Sequence, residues 1–111
     1  MSLSDKQWEF LKDVANLINY AEELDYKLTA GEIYRTRYQQ RRYIATGRSQ
    51  TMNSKHLKRL AIDLNLFIEG DLTYDFDDFE VLGNYWESLN ENNVWGGRWK
   101  FKDTNHFQRN P

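Results

Sequence analysis

An alternating run of residues from Leu60 to Phe67 constrains the fold of this chain more than any other stretch. Successive side chains of a β-strand point to opposite faces of a sheet, so this alternation predicts a strand with one buried face. The predicted buried side chains are Leu60, Ile62, Leu64 and Leu66. Asp63 then projects from the opposite face. His56 precedes Asp63 by seven residues, and it must lie in a bend before the strand if its ring is to reach that carboxylate.

The chain has only two histidines, His56 and His106. Two imidazoles and a carboxylate are ligands that suit zinc or a similar divalent ion. We therefore predict a zinc site formed by His56, Asp63 and His106, with an open position for a water molecule. Asp103, three residues before His106, would remain free to handle protons. The alternative is an exposed loop histidine at position 56 and a packed one at position 106.

Composition limits the class of protein. A chain of 111 residues with 40% hydrophobic and 15% aromatic residues is typical of one globular domain. The net charge of −2 argues against a generally basic nucleic-acid-binding protein, and the absence of cysteine excludes disulfides and thiolate ligands. No apolar stretch has membrane-spanning length. The first ten residues carry Asp5, Lys6 and Glu9 and no apolar core, which does not match a secretory signal peptide.

Helical periodicity dominates the first half of the chain. We predict a helix over about residues 4–23, with Ser4 as N-cap and Gln7 completing a capping box. Its core-facing side chains are predicted to be Trp8, Leu11, Val14, Ala15, Ile18 and Ala21. A short strand from Leu28 should reach Tyr34 and Arg35, followed by a helix from about Thr36 to Ala45. Gly47 suits the position just after that helix.

The second half shows a hairpin, a helix and a C-terminal strand. Residues 69–71 resemble a tight turn, and residues 72–74 would form the return strand. Acidic residues at the start of an apolar-periodic segment predict a helix over about residues 77–90. This acidic cluster lacks the glycine and closing glutamate of an EF-hand, so capping explains it better than calcium. Residues 90–97 are predicted to be a loop, and residues 99–102 a strand that delivers Asp103 and His106.

A basic stretch follows the predicted first strand. No acid occurs between Glu32 and Asp63, and tyrosines at positions 34, 38 and 43 alternate with arginines. The arginines are Arg35, Arg37, Arg41, Arg42 and Arg48. Such a surface can bind single-stranded nucleic acid, another anionic polymer or a substrate carboxylate, or it can be a solvated helix face. Arg35 differs from the others, because a residue at a strand end can point into a cleft.

Several separated motifs resemble the M15 family of zinc peptidases. The first is Ser54-x-His56 with Asp63 seven residues later, and the second is Asp103-x-x-His106-Phe107 after Trp95-Gly96-Gly97. This family includes D-alanyl-D-alanine carboxypeptidases and dipeptidases and the L-alanyl-D-glutamate endopeptidases of phage endolysins. The Trp-Gly-Gly segment and the aspartate before the last histidine are most similar to the phage branch.

A further motif extends the resemblance to about residues 28–108. Tyr34-Arg35-Thr36, with Gln40 five positions after the arginine, resembles the family segment ahead of the metal motif. One departure is Arg59, which stands where the family commonly has glycine. The resemblance implies a small α+β domain with an antiparallel sheet flanked by helices and a metal site on one face of the sheet. We expect one peptidase domain over residues 1–111.

The resemblance also implies a role for each motif residue. His56, Asp63 and His106 would bind zinc. Asp103 would be the general base that takes a proton from the attacking water, and Arg35 would hold the scissile carbonyl oxygen as it gains charge. Weaker roles in orienting ligands or substrate fall to Ser54, Gln40 and Trp95.

The expected function is therefore a zinc peptidase that hydrolyses peptidoglycan stem peptides at the L-Ala–D-Glu bond, as a phage-type endolysin does. A D-Ala-D-Ala carboxypeptidase or dipeptidase is the alternative within the family. From a different class, the alternative is a non-catalytic module that binds an anionic polymer through residues 35–48. We expect a monomer without a nucleic-acid partner that also contacts anionic wall polymers. It would be made in the cytoplasm and act on the wall after release by a holin, by lysis or from a phage particle.

Overall fold

The computed structural model describes residues 1–49 and 54–111. The α-helices of this part of the chain are α1 (Leu3–Glu23), α2 (Arg37–Ala45) and α3 (Phe76–Leu89). The strands are β1 (Tyr26–Ala30), β2 (Ala61–Ile68), β3 (Asp71–Thr73), β4 (Asn93–Trp95) and β5 (His106–Arg109). Two 3₁₀ turns complete the elements, at Lys55–Lys58 and Gly96–Arg98. The predicted α+β class is confirmed, and none of the described helices has the length and apolar character needed to cross a membrane.

Strand β2 is the centre of an antiparallel sheet. β1 pairs along one of its edges, and β3 and β5 pair with successive parts of the other edge. β4 pairs with the outer edge of β5. In the β2–β5 register, Ile62 lies opposite Phe107 and Asp63 lies opposite His106. Because side chains alternate along each strand, the first pair shares one face of the sheet and the second pair shares the other.

The core lies on the face of the sheet that carries the alternating apolar side chains of β2, as predicted. Helices α1 and α3 cover this face. The buried core consists of Phe10, Val14, Leu17, Ala21, Leu60, Ile62, Leu64, Leu66, Phe79, Leu82, Trp86, Trp95 and Phe107. Each fully buried large apolar side chain contributes about 1.5–3 kcal/mol relative to an exposed one. The opposite face is thereby left free for polar groups.

Helix α1 confirms the predicted helix but corrects its cap and its buried face. Ser2, not Ser4, is the N-cap, because Asp5 three residues later completes the capping box with it. Gln7 instead donates to the carbonyl oxygen of Lys58 at 2.8 Å. Val14 and Ala21 are buried as expected, together with Phe10 and Leu17. Trp8, Leu11 and Ile18 are 60%, 53% and 45% exposed.

Two strand predictions are wrong. The first strand ends at Ala30 rather than at Tyr34 and Arg35. Backbone bonds to Asp63 continue through Gly31 and Glu32, and the Arg35 N–H then bonds to the His56 carbonyl oxygen instead of to β2. Residues 99–102 are not a strand, since the turn at Gly96–Arg98 redirects the chain. The predicted loop over 90–97 contains β4, and the C-terminal strand is β5. The hairpin between β2 and β3 and helix α3 agree with the predictions.

The position where the family commonly has glycine needs a left-handed backbone. Arg59 ends the 3₁₀ turn with φ 54° and ψ 38°, and its guanidinium lies 4.1 Å from the centroid of the Tyr34 ring. Left-handed backbone costs about 1–2 kcal/mol for a residue with a Cβ and almost nothing for glycine. A glycine at position 59 would therefore remove a local conformational cost.

Substitutions at Arg59 test this explanation. Arg59→Gly should be more stable to urea than Arg59→Ala by about 1 kcal/mol, since both remove the contact with Tyr34 and only glycine relieves the backbone. The matched control is the exposed Lys58 in the same turn, where the φ is not positive. There the order should reverse, with Lys58→Ala the more stable variant. Equal stabilities of the two Arg59 variants would contradict the explanation.

Candidate metal centre and cleft

Three side chains from two remote parts of the chain meet on the open face of the sheet. Asp63 and His106 are direct neighbours across β2 and β5, with 3.2 Å between Asp63 Oδ1 and His106 Nδ1. His56 enters from the 3₁₀ turn before β2, and its Nε2 lies 3.3 Å from the same carboxylate oxygen. Ser54 caps this turn by accepting the His56 N–H. One ligand atom of each side chain lies within 4.8 Å of the others. The structure thus brings together the predicted ligand set.

The hydrogen bonds of the two rings leave a lone pair of each directed at Asp63. His56 Nδ1 lies 3.1 Å from the carbonyl oxygen of Ile33, which can only accept, so this nitrogen carries the proton. His106 Nε2 lies 2.8 Å from Gln108 Oε1 and is assigned as the donor by the same logic. His56 Nε2 is buried and has no hydrogen-bond partner among the described residues. A divalent cation would satisfy this nitrogen. Histidines that bind a metal through one ring nitrogen usually donate the N–H of the other to a fixed acceptor, as both rings do here.

Asp63 is held as a carboxylate. Its burial favours the protonated form, but the two adjacent imidazoles, His106 and His56, outweigh this effect and hold the pKa of Asp63 well below its usual range. An ionised carboxylate between two imidazoles is a hard, negatively charged ligand. The donor set therefore fits zinc.

Asp103 lies beside the three ligands without joining them. Its Oδ2 is 3.9 Å from His106 Nδ1, and half of its side chain is exposed. Burial raises the pKa of Asp103 above its ordinary value, although the adjacent His106 opposes that shift. Gly96 makes this position possible, because a Cβ there would lie 2.4 Å from the Asp103 carbonyl oxygen.

Arg35 is fixed at the edge of the same site by four side chains. It donates through Nε to Glu32 Oε1 at 2.6 Å, and through one terminal nitrogen to Gln40 Oε1 at 2.6 Å and Ser54 Oγ at 3.3 Å. The ring of Tyr43 lies under the guanidinium at 4.5 Å. Gln40 and Ser54 thus both contact Arg35, and Ser54 also caps the turn that carries His56. Sequence reasoning missed Glu32 and Tyr43, although the absence of acids after Glu32 marked it as the nearest anion for this arginine.

Trp95 is a core residue rather than a wall of the cleft. Its side chain is fully buried, and its indole N–H donates to the Thr104 carbonyl oxygen at 2.7 Å. A Cβ on Gly83 or Gly97 would lie 2.2 Å from the indole. Trp95 therefore supports the segment that carries Asp103 from beneath.

A cleft of about 590 Å³ opens beside the candidate metal site, and two of the three ligands, His56 and His106, line it. Its lining residues are Arg35, Arg48, Ser49, Ser54, Lys55, His56, Trp99, Phe101, Lys102, Asp103, His106 and Gln108. The Trp99 ring lies 4.9 Å from the His106 ring and forms one wall. The alternation over residues 99–102 predicts a strand and gives no sign that Trp99 and Phe101 line a cleft. The cleft has room for a peptide-sized ligand.

Comparison with known proteins agrees with this geometry. A sequence model of an M15 peptidase family described as D-alanyl-D-alanine carboxypeptidase matches residues 47–109, which is more than half of the chain. Among curated proteins, none matches significantly. The crystal structure of the Serratia marcescens L-Ala D-Glu endopeptidase ChiX has a similar fold, with a TM-score of 0.77. The match has 24% sequence identity and covers 91% of this chain and 77% of ChiX.

Proposed function

Because this chain belongs to the M15 peptidase family, we propose that it is a zinc-dependent peptidase that hydrolyses the L-Ala–D-Glu bond of peptidoglycan stem peptides. The observation that carries this proposal is that ligand atoms of His56, Asp63 and His106 lie within 4.8 Å of one another, and that His56 Nε2 is buried without a hydrogen-bond partner in the described part of the chain. Structural zinc is normally closed by four protein ligands, whereas three ligands beside a cleft leave a position for chemistry.

The three ligands would hold the ion, and Asp103 would manage the protons. Bound zinc supplies a Lewis acid and lowers the pKa of water to about 7. Asp103 lies next to the ligands but keeps half of its carboxylate exposed to the cleft. It therefore accepts the proton of the attacking water and delivers it to the leaving amine. Its raised pKa makes Asp103 a stronger base than an ordinary carboxylate, which favours acceptance of the proton from the water.

Arg35 would stabilise the carbonyl oxygen of the scissile amide. Its guanidinium lines the cleft and is held by Glu32, Gln40 and Ser54, so it need not reorganise when negative charge develops. One preorganised donor of this kind contributes about 3–4 kcal/mol to transition-state stability. The same hydrogen bonds give Gln40 and Ser54 a positioning role for Arg35.

Two bonds compete as the target. The structural likeness to an L-Ala D-Glu endopeptidase supports the L-Ala–D-Glu bond, and the likeness to D-alanyl-D-alanine carboxypeptidases supports cleavage of terminal D-alanine as the alternative. Both reactions use the same chemistry at the metal. The difference lies in which side of the stem peptide the cleft accepts. As a phage-type endolysin, the protein would reach this substrate after release from the cytoplasm.

Removal of the metal tests the proposal. Treatment with a strong chelator should abolish hydrolysis of purified peptidoglycan, and addition of zinc, but not magnesium, should restore it, since two imidazoles favour zinc. Mass spectrometry of the digest identifies the bond. New N-terminal D-glutamate is the expected product, and free D-alanine would establish the carboxypeptidase alternative. Hydrolysis that persists after chelation and dialysis would contradict a metal mechanism.

A further inference from the structure

The end of helix α2 fixes the position of Arg48. Gly47 adopts φ 79°, and its N–H bonds to the Ile44 carbonyl oxygen, while the Arg48 N–H bonds to the Tyr43 carbonyl oxygen at 2.7 Å. These two bonds form a Schellman motif, in which the residue after the glycine returns to the last turn of the helix. Accordingly, the Arg48 guanidinium lies 5.2 Å from the centroid of the Tyr43 ring. Gly47 thus preorganises this arginine.

Two guanidinium groups contact the Tyr43 ring, those of Arg35 and Arg48. Arg35 lies 4.5 Å from its centroid, and its hydroxyl donates to Glu32 Oε2 at 3.0 Å. Glu32 also receives the ion pair of Arg35. No ion pair among the described residues includes Arg48 or Arg42. The cluster therefore carries positive charge that the protein itself does not neutralise.

Arg48 also lies where two cavities meet. One is the cleft beside the candidate metal site, and the other is a groove of about 380 Å³ on the side of α2. The groove is lined by Tyr38, Gln39, Arg42, Tyr43, Thr46 and Arg48. It offers two guanidinium groups and two tyrosine rings, a combination suited to an anionic group on an extended chain. Arg48 therefore borders both this groove and the cleft that His56 and His106 line.

We propose that Arg48 and Arg42 form a subsite that binds a carboxylate of the peptide substrate beyond the scissile bond. This inference rests on the proposed peptidase function, and it names a substrate property that the metal centre does not determine. Because Arg48 borders the cleft as well as the groove, the substrate itself is favoured over a separate polymer. A peptide containing glutamate has two candidate carboxylates, one on the glutamate and one at the C-terminus.

Calorimetry on the zinc-loaded Asp103→Asn protein can test this subsite without turnover. The probes are a synthetic peptide containing L-Ala-D-Glu with free carboxylates and two versions in which either the glutamate or the C-terminal carboxylate is an amide. One of the amides should bind about tenfold more weakly, as expected for loss of a charge-assisted hydrogen bond, and this identifies the carboxylate involved. Adding Arg48→Gln should make that amide and the free acid bind equally.

Arg37→Gln is the matched control, since Arg37 is exposed on the same helix and lines neither cavity. It should retain the tenfold preference. The proposal is overturned if Arg48→Gln keeps the preference or if Arg37→Gln removes it equally. It is also overturned if Arg48→Gln weakens only the binding of a phosphodiester polymer. Because binding is measured directly, a protein that cleaves no peptidoglycan would refute the proposed function and still give a result for the subsite.

Discussion

Replacing Asp103 with asparagine is expected to leave zinc binding intact and to lower kcat by about 10²–10⁴-fold, the usual contribution of a positioned general base. Asparagine keeps the shape of the side chain but cannot accept a proton. Asp103 is not within the ligand cluster, and its nearest approach to His106 Nδ1 is 3.9 Å. The substitution therefore separates proton transfer from metal binding.

The measurement combines zinc content per chain with the rate of hydrolysis of a small soluble peptide. Asp71→Asn is the control, because Asp71 is an exposed carboxylate in β3 on the far part of the β2 edge. It should leave both quantities unchanged. An Asp103→Asn protein that holds zinc and cleaves at the rate of the unaltered chain would show that another group is the base.

The second large effect is expected at His106. His106→Ala should lower zinc affinity by more than the roughly 10–100-fold that follows loss of an outer hydrogen-bond partner, since it removes a ligand itself. Gln108→Ala is the comparison variant, because it removes only a hydrogen-bond partner of the ligand His106. Gln108 orients the His106 ring through Nε2, so its loss should cost about 10–100-fold in zinc affinity and keep the site.

Competition with a zinc-sensitive dye gives both affinities, and thermal melts of the metal-free proteins show whether the fold is retained. The expected order of affinity is the unaltered chain, then Gln108→Ala, then His106→Ala. If His106→Ala bound zinc as tightly as the unaltered chain, His106 would not be a ligand.

The alternation in β2 was enough to predict the face from which Asp63 projects. A period of two assigns Leu60, Ile62, Leu64 and Leu66 to the core and Asp63 to the opposite face, and the structure agrees. The pairing of Asp63 with His106 could not be derived this way, because it depends on a register between strands 43 residues apart in sequence. Only the order of the motifs, compared with a known family, indicated that partner.

Helix α1 shows why the core face could not be assigned completely. Its apolar residues occupy more than half of the helix circumference, and both Trp8 and Phe10 belong to rows with helical spacing. Periodicity establishes the helix but not which row meets the sheet. The packing of α1 against α3 and β1 selects the row with Phe10 and leaves Trp8 exposed.

The short strands β4 and β5 could not be predicted from the sequence either. β4 and β5 have three and four residues, too few to show a convincing alternation, whereas Trp99–Lys102 alternates and is not a strand. The environment of Arg35 was similarly hidden, since Glu32, Gln40 and Ser54 meet only after β2 and α2 pack. Local patterns thus predicted the elements better than the contacts between them.

The most direct test is X-ray absorption at the zinc edge on the protein reconstituted with one equivalent of zinc. The expected zinc site has two imidazole nitrogens at about 2.0–2.1 Å, a carboxylate oxygen at about 2.0–2.2 Å and a further light ligand from solvent. His56→Ala should reduce the imidazole count to one. A spectrum without imidazole scattering, or one unchanged by His56→Ala, would contradict a metal centre built from His56, Asp63 and His106.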